Sequence, residues 1–281
     1  MFKVDRLRFG TAGIPLSTPK RSTLDGILHV RNLGLDAMEL EFVRGVNIKP
    51  ELAKKIKYVA KKHDVLLTAH APYYINLNAK EKAKVEASKR RIIQSAERLH
   101  DAGGWSVVFH AGYYLNQPPE KVYERIRNEL RDIERELVDR GIKVWLRPEL
   151  TGKPTQFGDL KEIVRLSEEL ETVLPTIDFA HAHARNVGKL NTAEEWREML
   201  SFIEDRLGRE ALDNMHIHIS GINYEPKGEK NHLNLQESDM NWEDLLRVLK
   251  EFRVKGVVIS ESPNIEGDAL LMKKKYEEIK I

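Results

Sequence analysis

Apolar residues along this chain alternate between two rhythms. Short apolar runs of strand length occur near residues 7–14, 37–42, 65–71, 105–111, 143–149, 173–178, 214–220 and 255–261. Between them the apolar positions recur at helical period; Leu52, Ile56, Val59 and Ala60 share one face of 49–63. The segment from Pro119 to Gly141 opens with proline in its first turn and stops at glycine, the start and stop chemistries of a helix. Asn191-Thr192, Asn241 and Asn264 supply caps for the helices that follow the sixth, seventh and eighth strands. Eight strand-then-helix units in 281 residues match a closed (β/α)8 barrel, the TIM barrel, in count and length. No linker, low-complexity stretch or shift of composition divides the chain, so residues 1–281 read as a single barrel domain.

Composition narrows the chemistry. A hydrophobic fraction of 41% is enough for a sizeable core, and the absence of cysteine removes disulfides, thiolate zinc sites and cysteine nucleophiles. A charged fraction of 32%, rich in Lys, Arg and Glu, points toward a thermophile's enzyme. The net charge of +2 supplies no basic surface that would by itself argue for nucleic acid. The start, Met1-Phe2-Lys3-Val4-Asp5-Arg6, has no apolar signal segment, and no later run approaches the length of a membrane span. The expectation is a cytoplasmic protein with no membrane association and no evident obligate protein partner.

What separates a barrel from the competing open, doubly wound sheet is where the metal-capable side chains fall. His70 and His110 close the third and fourth apolar runs, Glu149 and Asp178 follow the fifth and sixth, His216 opens the seventh, and Glu261 ends the eighth. In a closed barrel the C-terminal ends of all strands converge on one active-site face, so this ladder becomes a cluster. Imidazoles and carboxylates are the ligands that zinc and similar metals prefer. A lone histidine at a strand end is more often a hydrogen-bonded structural residue, but six such residues in order reverse that expectation. Two further pairs extend the set: Asp178 with His181, three residues apart, and Glu229 with His232 in the region after the seventh strand. Glu149 is central enough to bridge two metals. His218 shares a strand face with His216 and is equally consistent with a residue that orients a ligand or with a core residue; His183 stands in the same relation to His181.

The ordered set resembles the endonuclease IV family of apurinic/apyrimidinic endonucleases. The likeness rests on His70-Ala71-Pro72-Tyr73-Tyr74-Ile75-Asn76-Leu77, His110-Ala111-Gly112, Glu149-Leu150-Thr151-Gly152, Asp178 with His181, Met215-His216 and Glu261-Ser262-Pro263, over about residues 65–265. It implies a trinuclear-zinc barrel that cuts double-stranded DNA on the 5′ side of abasic sites. By the same resemblance, His70, His110 and Glu149 would hold one metal, and Glu149, Asp178, His216 and Glu261 a second. His181, Glu229 and His232 would hold the third, giving two to three zinc ions, with manganese or magnesium as alternatives. Glu149 and Glu261 carry the catalytic roles, and Tyr73, Asn76 and Arg44 are the candidate substrate contacts. The chain departs from the family pattern where Glu229 replaces an aspartate and stands one residue farther from its histidine. It also has His218-Ile219-Ser220-Gly221 where bacterial members have Asn-Asp, as expected of a divergent, archaeal-type branch.

A rival comes from sugar isomerases and epimerases resembling xylose isomerase. They share the barrel and a Glu/Asp/His/Glu metal quartet on strands five to eight, but not His70, His110 or the His-Ala-Pro-Tyr stretch.

Overall fold

A computed structural model describes residues 3–281. Seven parallel strands come first: β1 (Leu7–Ala12), β2 (Ala37–Glu41), β3 (Leu66–His70), β4 (Ser106–Phe109), β5 (Trp145–Pro148), β6 (Thr176–Asp178) and β7 (Met215–Ile219). A hairpin of β8 (Gly221–Glu225) and β9 (Gly228–Leu233) follows, and β10 (Gly256–Ser260) is the eighth strand of the barrel. The main sheet runs β5-β4-β3-β2-β1-β10-β7-β6. Its two ends meet through isolated parallel bridges, Leu146 to Val173 and Glu149 to Thr176, so the barrel is nearly closed. The seam is stitched by Leu146 N–H to Thr172 O (2.9 Å), Leu174 N–H to Leu146 O (3.1 Å) and Leu150 N–H to Thr176 O (3.0 Å).

Helices α1 (Thr23–Asn32), α2 (Pro50–Lys62), α3 (Lys82–Asp101), α4 (Pro119–Asp139), α5 (Leu160–Glu169), α6 (Phe179–Arg185), α7 (Ala193–Leu207), α8 (Arg209–Leu212), α9 (Trp242–Glu251) and α10 (Glu266–Glu278) complete the chain. Prolines begin α2 and α4, where a missing N–H costs nothing. Thr192 and Glu195 form a reciprocal capping box on α7, and Asn241 caps α9 through Asp244 N–H. Asn264 stands one position before the cap of α10, although its Oδ1 still accepts from Asp268 N–H at 3.0 Å. No helix among the described residues is long and apolar enough to cross a membrane.

Two elements differ from the pattern expected of the sequence. Helix α6 starts directly after β6, with the Asp178 carboxylate accepting the His181 N–H at 2.7 Å, and seven residues are too few to show a helical period. The region holding Glu229 and His232 is a hairpin rather than a loop. Its strands are mostly polar, with Ile222 buried in the core and Tyr224 packed against it, so hydrophobic alternation does not announce them.

The barrel interior is layered. Val4, Ala37, Leu66, Trp105, Val257 and Ile259 form an apolar cluster separate from the main core between barrel and helices. Beside it the fully buried Arg147 guanidinium lies 4.9 Å over Trp105 and 5.6 Å over Trp145, and donates to the carbonyls of Pro175 and Asn214. Burial pushes its pKa down to about 9.

Candidate metal centre

The strand ends bring their ionisable residues to one face, with Glu149 at the middle. Its Oε2 stands 2.8 Å from His110 Nε2 and 3.4 Å from His70 Nε2. Its Oε1 stands 3.0 Å from His218 Nδ1 and 3.5 Å from His181 Nδ1. One carboxylate therefore shares its two oxygens between two sets of imidazoles. Donor atoms of His70, His110 and Glu149 lie within 4.8 Å of one another, as do those of Glu149, Asp178, His218 and Glu261, and those of Asp178, His181 and His232. Glu229 closes the third group from the side, its Oε2 lying 3.6 Å from His181 Nε2.

Main-chain carbonyls set the tautomers. The Nδ1 of His70 lies 2.8 Å from Ala71 O, that of His181 3.0 Å from Leu150 O, and that of His232 3.1 Å from Glu261 O. A carbonyl can only accept, so each Nδ1 carries the proton and each Nε2 keeps its lone pair for a ligand. His218 is turned the other way: its Nδ1 faces the acids and its Nε2 faces into the barrel, 3.0 Å from Glu39 Oε1.

The electrostatics call for positive charge. Burial opposes a charge on His70, yet Glu149, Glu41 and Glu39 raise its pKa to about 10. For Asp178 burial acts first, with Glu261 and Glu149 adding to it, and its pKa rises to about 7. Burial works in the same direction on Glu149, but His110 and His218 hold it well below the usual carboxylate range. Glu149 Oε2 and Asp178 Oδ2 are buried without an aligned hydrogen-bond donor, a state that costs upward of about 1–3 kcal/mol per group. A bound cation would relieve both. The imidazole and carboxylate donors, and these orphaned oxygens, fit zinc or a related divalent metal.

His216 is not brought to this cluster. It lies deeper in the barrel, fully buried and stacked on Trp105, with Nε2 2.9 Å from Glu39 Oε2 and Nδ1 2.7 Å from Ser106 Oγ. Burial, with His218 and Arg147 nearby, lowers its pKa to about 4. The place expected for His216 is taken by His218. Both point inward, being two apart on β7, but only His218 reaches the layer of Glu149.

The remaining candidates fall as follows. Glu261 is the partly exposed member of the group with Glu149, Asp178 and His218, its Oε1 3.3 Å from His218 Nδ1. Tyr73 stands at the rim, 61% exposed, with its ring edge-on to His70 at 5.6 Å. Asn76 is occupied with its own loop, its Oδ1 accepting from Asn78 N–H at 3.0 Å. Arg44 is exposed in the turn after β2. Arg185 donates to Thr151, Lys153 and Gln156, bracing the loop after β5. His183 links α6 to the hairpin: its Nε2 is 2.9 Å from Asp239 Oδ1, and Asp239 also accepts from the Tyr224 hydroxyl at 2.6 Å.

Two acids on β2 add to the set. Glu39 is fully buried, and Thr68 donates to its Oε2 at 2.8 Å. Burial opposes its charge, but His218 and His216 hold its carboxyl well below the ordinary range. Glu41, two residues on, faces the same interior, and burial with Glu39 raises its pKa to about 8. The alternation Met38-Glu39-Leu40-Glu41 is the signal that points both acids inward, since Met38 and Leu40 must face the helices.

Comparison with known proteins places these features in context. A family model described as xylose isomerase-like TIM barrel matches residues 27–279. An uncharacterized protein of Methanocaldococcus jannaschii is 47% identical, covering 97% of this chain and 98% of its own. A probable endonuclease 4 of Halorhodospira halophila is 28% identical over 74% of this chain and 71% of its own. Among solved structures, endonuclease IV from Thermus thermophilus superposes with a TM-score of 0.73 at 19% identity, over 96% of this chain and all (100%) of that one. A D-tagatose 3-epimerase-like protein superposes at 0.71 with 21% identity, over 95% of this chain and 97% of that one.

Proposed function

The chain belongs to the xylose isomerase-like TIM barrel family, and from that membership we propose that it is a metal-dependent phosphodiester hydrolase acting on DNA, an endonuclease IV-type enzyme that nicks duplexes on the 5′ side of abasic sites. The observation that carries this reading is the divided carboxylate of Glu149. A sugar isomerase needs the quartet of Glu149, Asp178, His218 and Glu261; it has no use for His70 and His110 on the other oxygen, nor for His181, Glu229 and His232 beyond Asp178. Relatives named probable endonuclease 4 add support from sequence.

His70, His110 and Glu149 would hold one metal; Glu149, Asp178, His218 and Glu261 a second; and His181, Glu229 and His232 a third. When bound, such ions, zinc by this reading, supply Lewis-acid stabilisation of phosphoryl oxygens and make water acidic enough to act as a nucleophile near neutral pH. The protein's own groups do the rest. The backbone carbonyls of Ala71, Leu150 and Glu261 keep three imidazoles in the ligating tautomer. Glu261, partly open to solvent at the mouth, is placed to orient a nucleophilic water and accept its proton. The exposed ring of Tyr73 offers a stacking face beside the centre. An abasic nucleotide has lost its base stacking, so drawing it into this mouth costs less than extruding an intact one.

The quartet also keeps a second reading open, a divalent-metal sugar isomerase or epimerase, since its four donors alone lie within 4.8 Å of one another. Incubation of the purified protein with a duplex carrying one abasic-site analogue decides between them. Strand scission that is lost in His70→Ala supports the nuclease. Sugar epimerisation that survives His70→Ala, with one manganese or magnesium per chain, overturns it.

A further inference from the structure

We propose that Glu39 is a positioning residue for the metal centre: it keeps the His218 proton on Nε2, and so leaves Nδ1 open toward Glu149, Asp178 and Glu261. This rests on the metal centre proposed above, but not on whether the substrate is DNA or sugar.

The argument starts from how each imidazole is oriented. His70, His181 and His232 each have a main-chain carbonyl on Nδ1, although that of His181 also stands 3.5 Å from Glu149 Oε1 and 3.2 Å from Asp178 Oδ2. His218 has none. Its outward nitrogen is Nε2, and what stands 3.0 Å from it is the Glu39 carboxylate. A neutral imidazole carries one proton, and either nitrogen can hold it. If the proton sat on Nδ1, it would point at Glu149 Oε1 and Glu261 Oε1, 3.0 and 3.3 Å away, and His218 could not be a ligand. Anionic oxygens thus stand at both nitrogens, Glu149 Oε1 in hydrogen-bond geometry at Nδ1 and Glu39 Oε1 at Nε2. Once a cation occupies the acids on the Nδ1 side, Glu39 is the acceptor left to hold the proton on Nε2, which makes Nδ1 a better donor to that cation.

Glu39 is itself held for this task. Thr68, its register partner on β3, donates a hydroxyl hydrogen bond to Oε2, and no part of the residue reaches solvent. The remaining side of Oε2 faces His216, whose other nitrogen is bound to Ser106. A connected file of Ser106, His216, Glu39 and His218 thus runs from the barrel interior to the centre. This gives His216 a place in the site without making it a ligand. The same three donors, Glu39, His216 and His218, lie close enough to chelate a cation of their own, and neither Nε2 nor Glu39 Oε1 is aligned as a full hydrogen bond. The experiment must therefore separate an orienting acid from a ligand.

Two variants of the full-length protein do so. Glu39→Leu removes the acceptor at similar volume, and Glu39→Gln keeps an acceptor oxygen without its charge. Zinc and cobalt affinities are measured by competition with a chromophoric chelator, with total metal counted by elemental analysis. Leu should weaken the quartet site by about 10–100-fold, the range for losing a ligand's supporting partner, and Gln should recover part of that loss. In the cobalt-loaded protein, a paramagnetically shifted exchangeable proton assigned to His218 Nε2 should be present in the wild type and lost in the Leu variant. Equal affinity in wild type and both variants would overturn the proposal. So would the clean loss of one metal equivalent with the quartet unaffected, because that outcome makes Glu39 a ligand. Should Glu39→Leu fail to fold, Glu39→Gln and Thr68→Val carry the test: each should weaken the site by about three- to tenfold, the worth of one hydrogen bond, and no change in either would refute the role. A wild-type protein that binds no metal at all would instead remove the proposed function.

Discussion

Glu149 offers one oxygen to His70 and His110 and the other to His218 and His181, so no other side chain in the centre does as much with one substitution. Glu149→Gln should release more than one metal and lower strand scission by more than about 100-fold, beyond the effect of losing a mere supporting partner. Elemental analysis together with a nicking assay checks both halves; full metal content in that variant would rule out bridging. The neighbouring pair on β7 gives a second contrast. His218→Ala should empty the quartet, whereas His216→Asn should keep the metal count unchanged while lowering affinity, as read by chelator competition. This is also where sequence reading reached its limit. Side-chain parity places both histidines inside the barrel, but which of them reaches the layer of Glu149 depends on the strand's height, set here by Val257 opposite His216 and Ile259 opposite His218. Strand pairing of that kind leaves no trace in a single chain's pattern. Glu39 escaped notice for a related reason: it lies in the interior of β2 rather than at its end, and its role is visible only from the residues facing it across the barrel.

At the level of elements, the hairpin of β8 and β9 is the part of the centre that lies outside the barrel sheet. It brings Glu229 and His232 to His181, and Tyr224, Asp239 and His183 tie it to α6. Its fit against the loop after β5 is tight: a Cβ on Gly152 would come within 2.7 Å of Glu229, and one on Gly228 within 2.4 Å of Gly152 O. A hairpin outside the barrel preorganises ligands less firmly than the strands do. The metal at His181, Glu229 and His232 should therefore leave first during stepwise chelation, and Asp239→Ala should hasten its loss by about tenfold, followed by metal release into a fluorescent chelator. If that metal proved the last to leave, the assignment of Glu229 and His232 would have to be given up. The sequence marked both residues but hid the element beneath them, because polar strands with a Pro226-Lys227-Gly228 turn look like any solvated loop.

For the whole molecule, the eight apolar runs correspond to the eight barrel strands because buried parallel strands are the easiest element to recognise: short, apolar on both faces and regularly spaced. The acids and imidazoles they deliver make stability depend on pH. His70 has a folded pKa of about 10 against 6.5 for the free group, and Glu41 about 8 against 4.5. Both are raised by folding, so their contribution is complete below the free values and is lost as pH rises through the folded ones. Chelator-treated protein should accordingly lose thermal stability between pH 7 and 10, while saturating zinc should abolish or reverse the trend. Melting curves with and without chelator test this, and stability that climbs with pH in the stripped protein would contradict it.

The seam between β5 and β6 has a consequence of its own. Elsewhere neighbouring strands share continuous ladders, from two residue pairs between β3 and β4 to five between β1 and β10, but here two isolated bridges do the work. One of those bridges is made by Glu149 itself, opposite Thr176, and Asp178 sits two residues further along the facing strand. A cation gripped by Glu149 and Asp178 together would span the gap and act as a rivet across this stave joint of the cask. Backbone amides of Leu146, Leu150 and Leu174 should exchange with deuterium faster than those of β1 and β10 when metal is withheld, and should slow by about tenfold or more once it is restored, in line with the linkage between binding and opening. Amide exchange that is uniform around the barrel and indifferent to metal would show the joint to be sealed by the chain alone. With the rivet in place, an ion that equipped the mouth for chemistry would also keep the barrel from springing open at a joint without a continuous ladder.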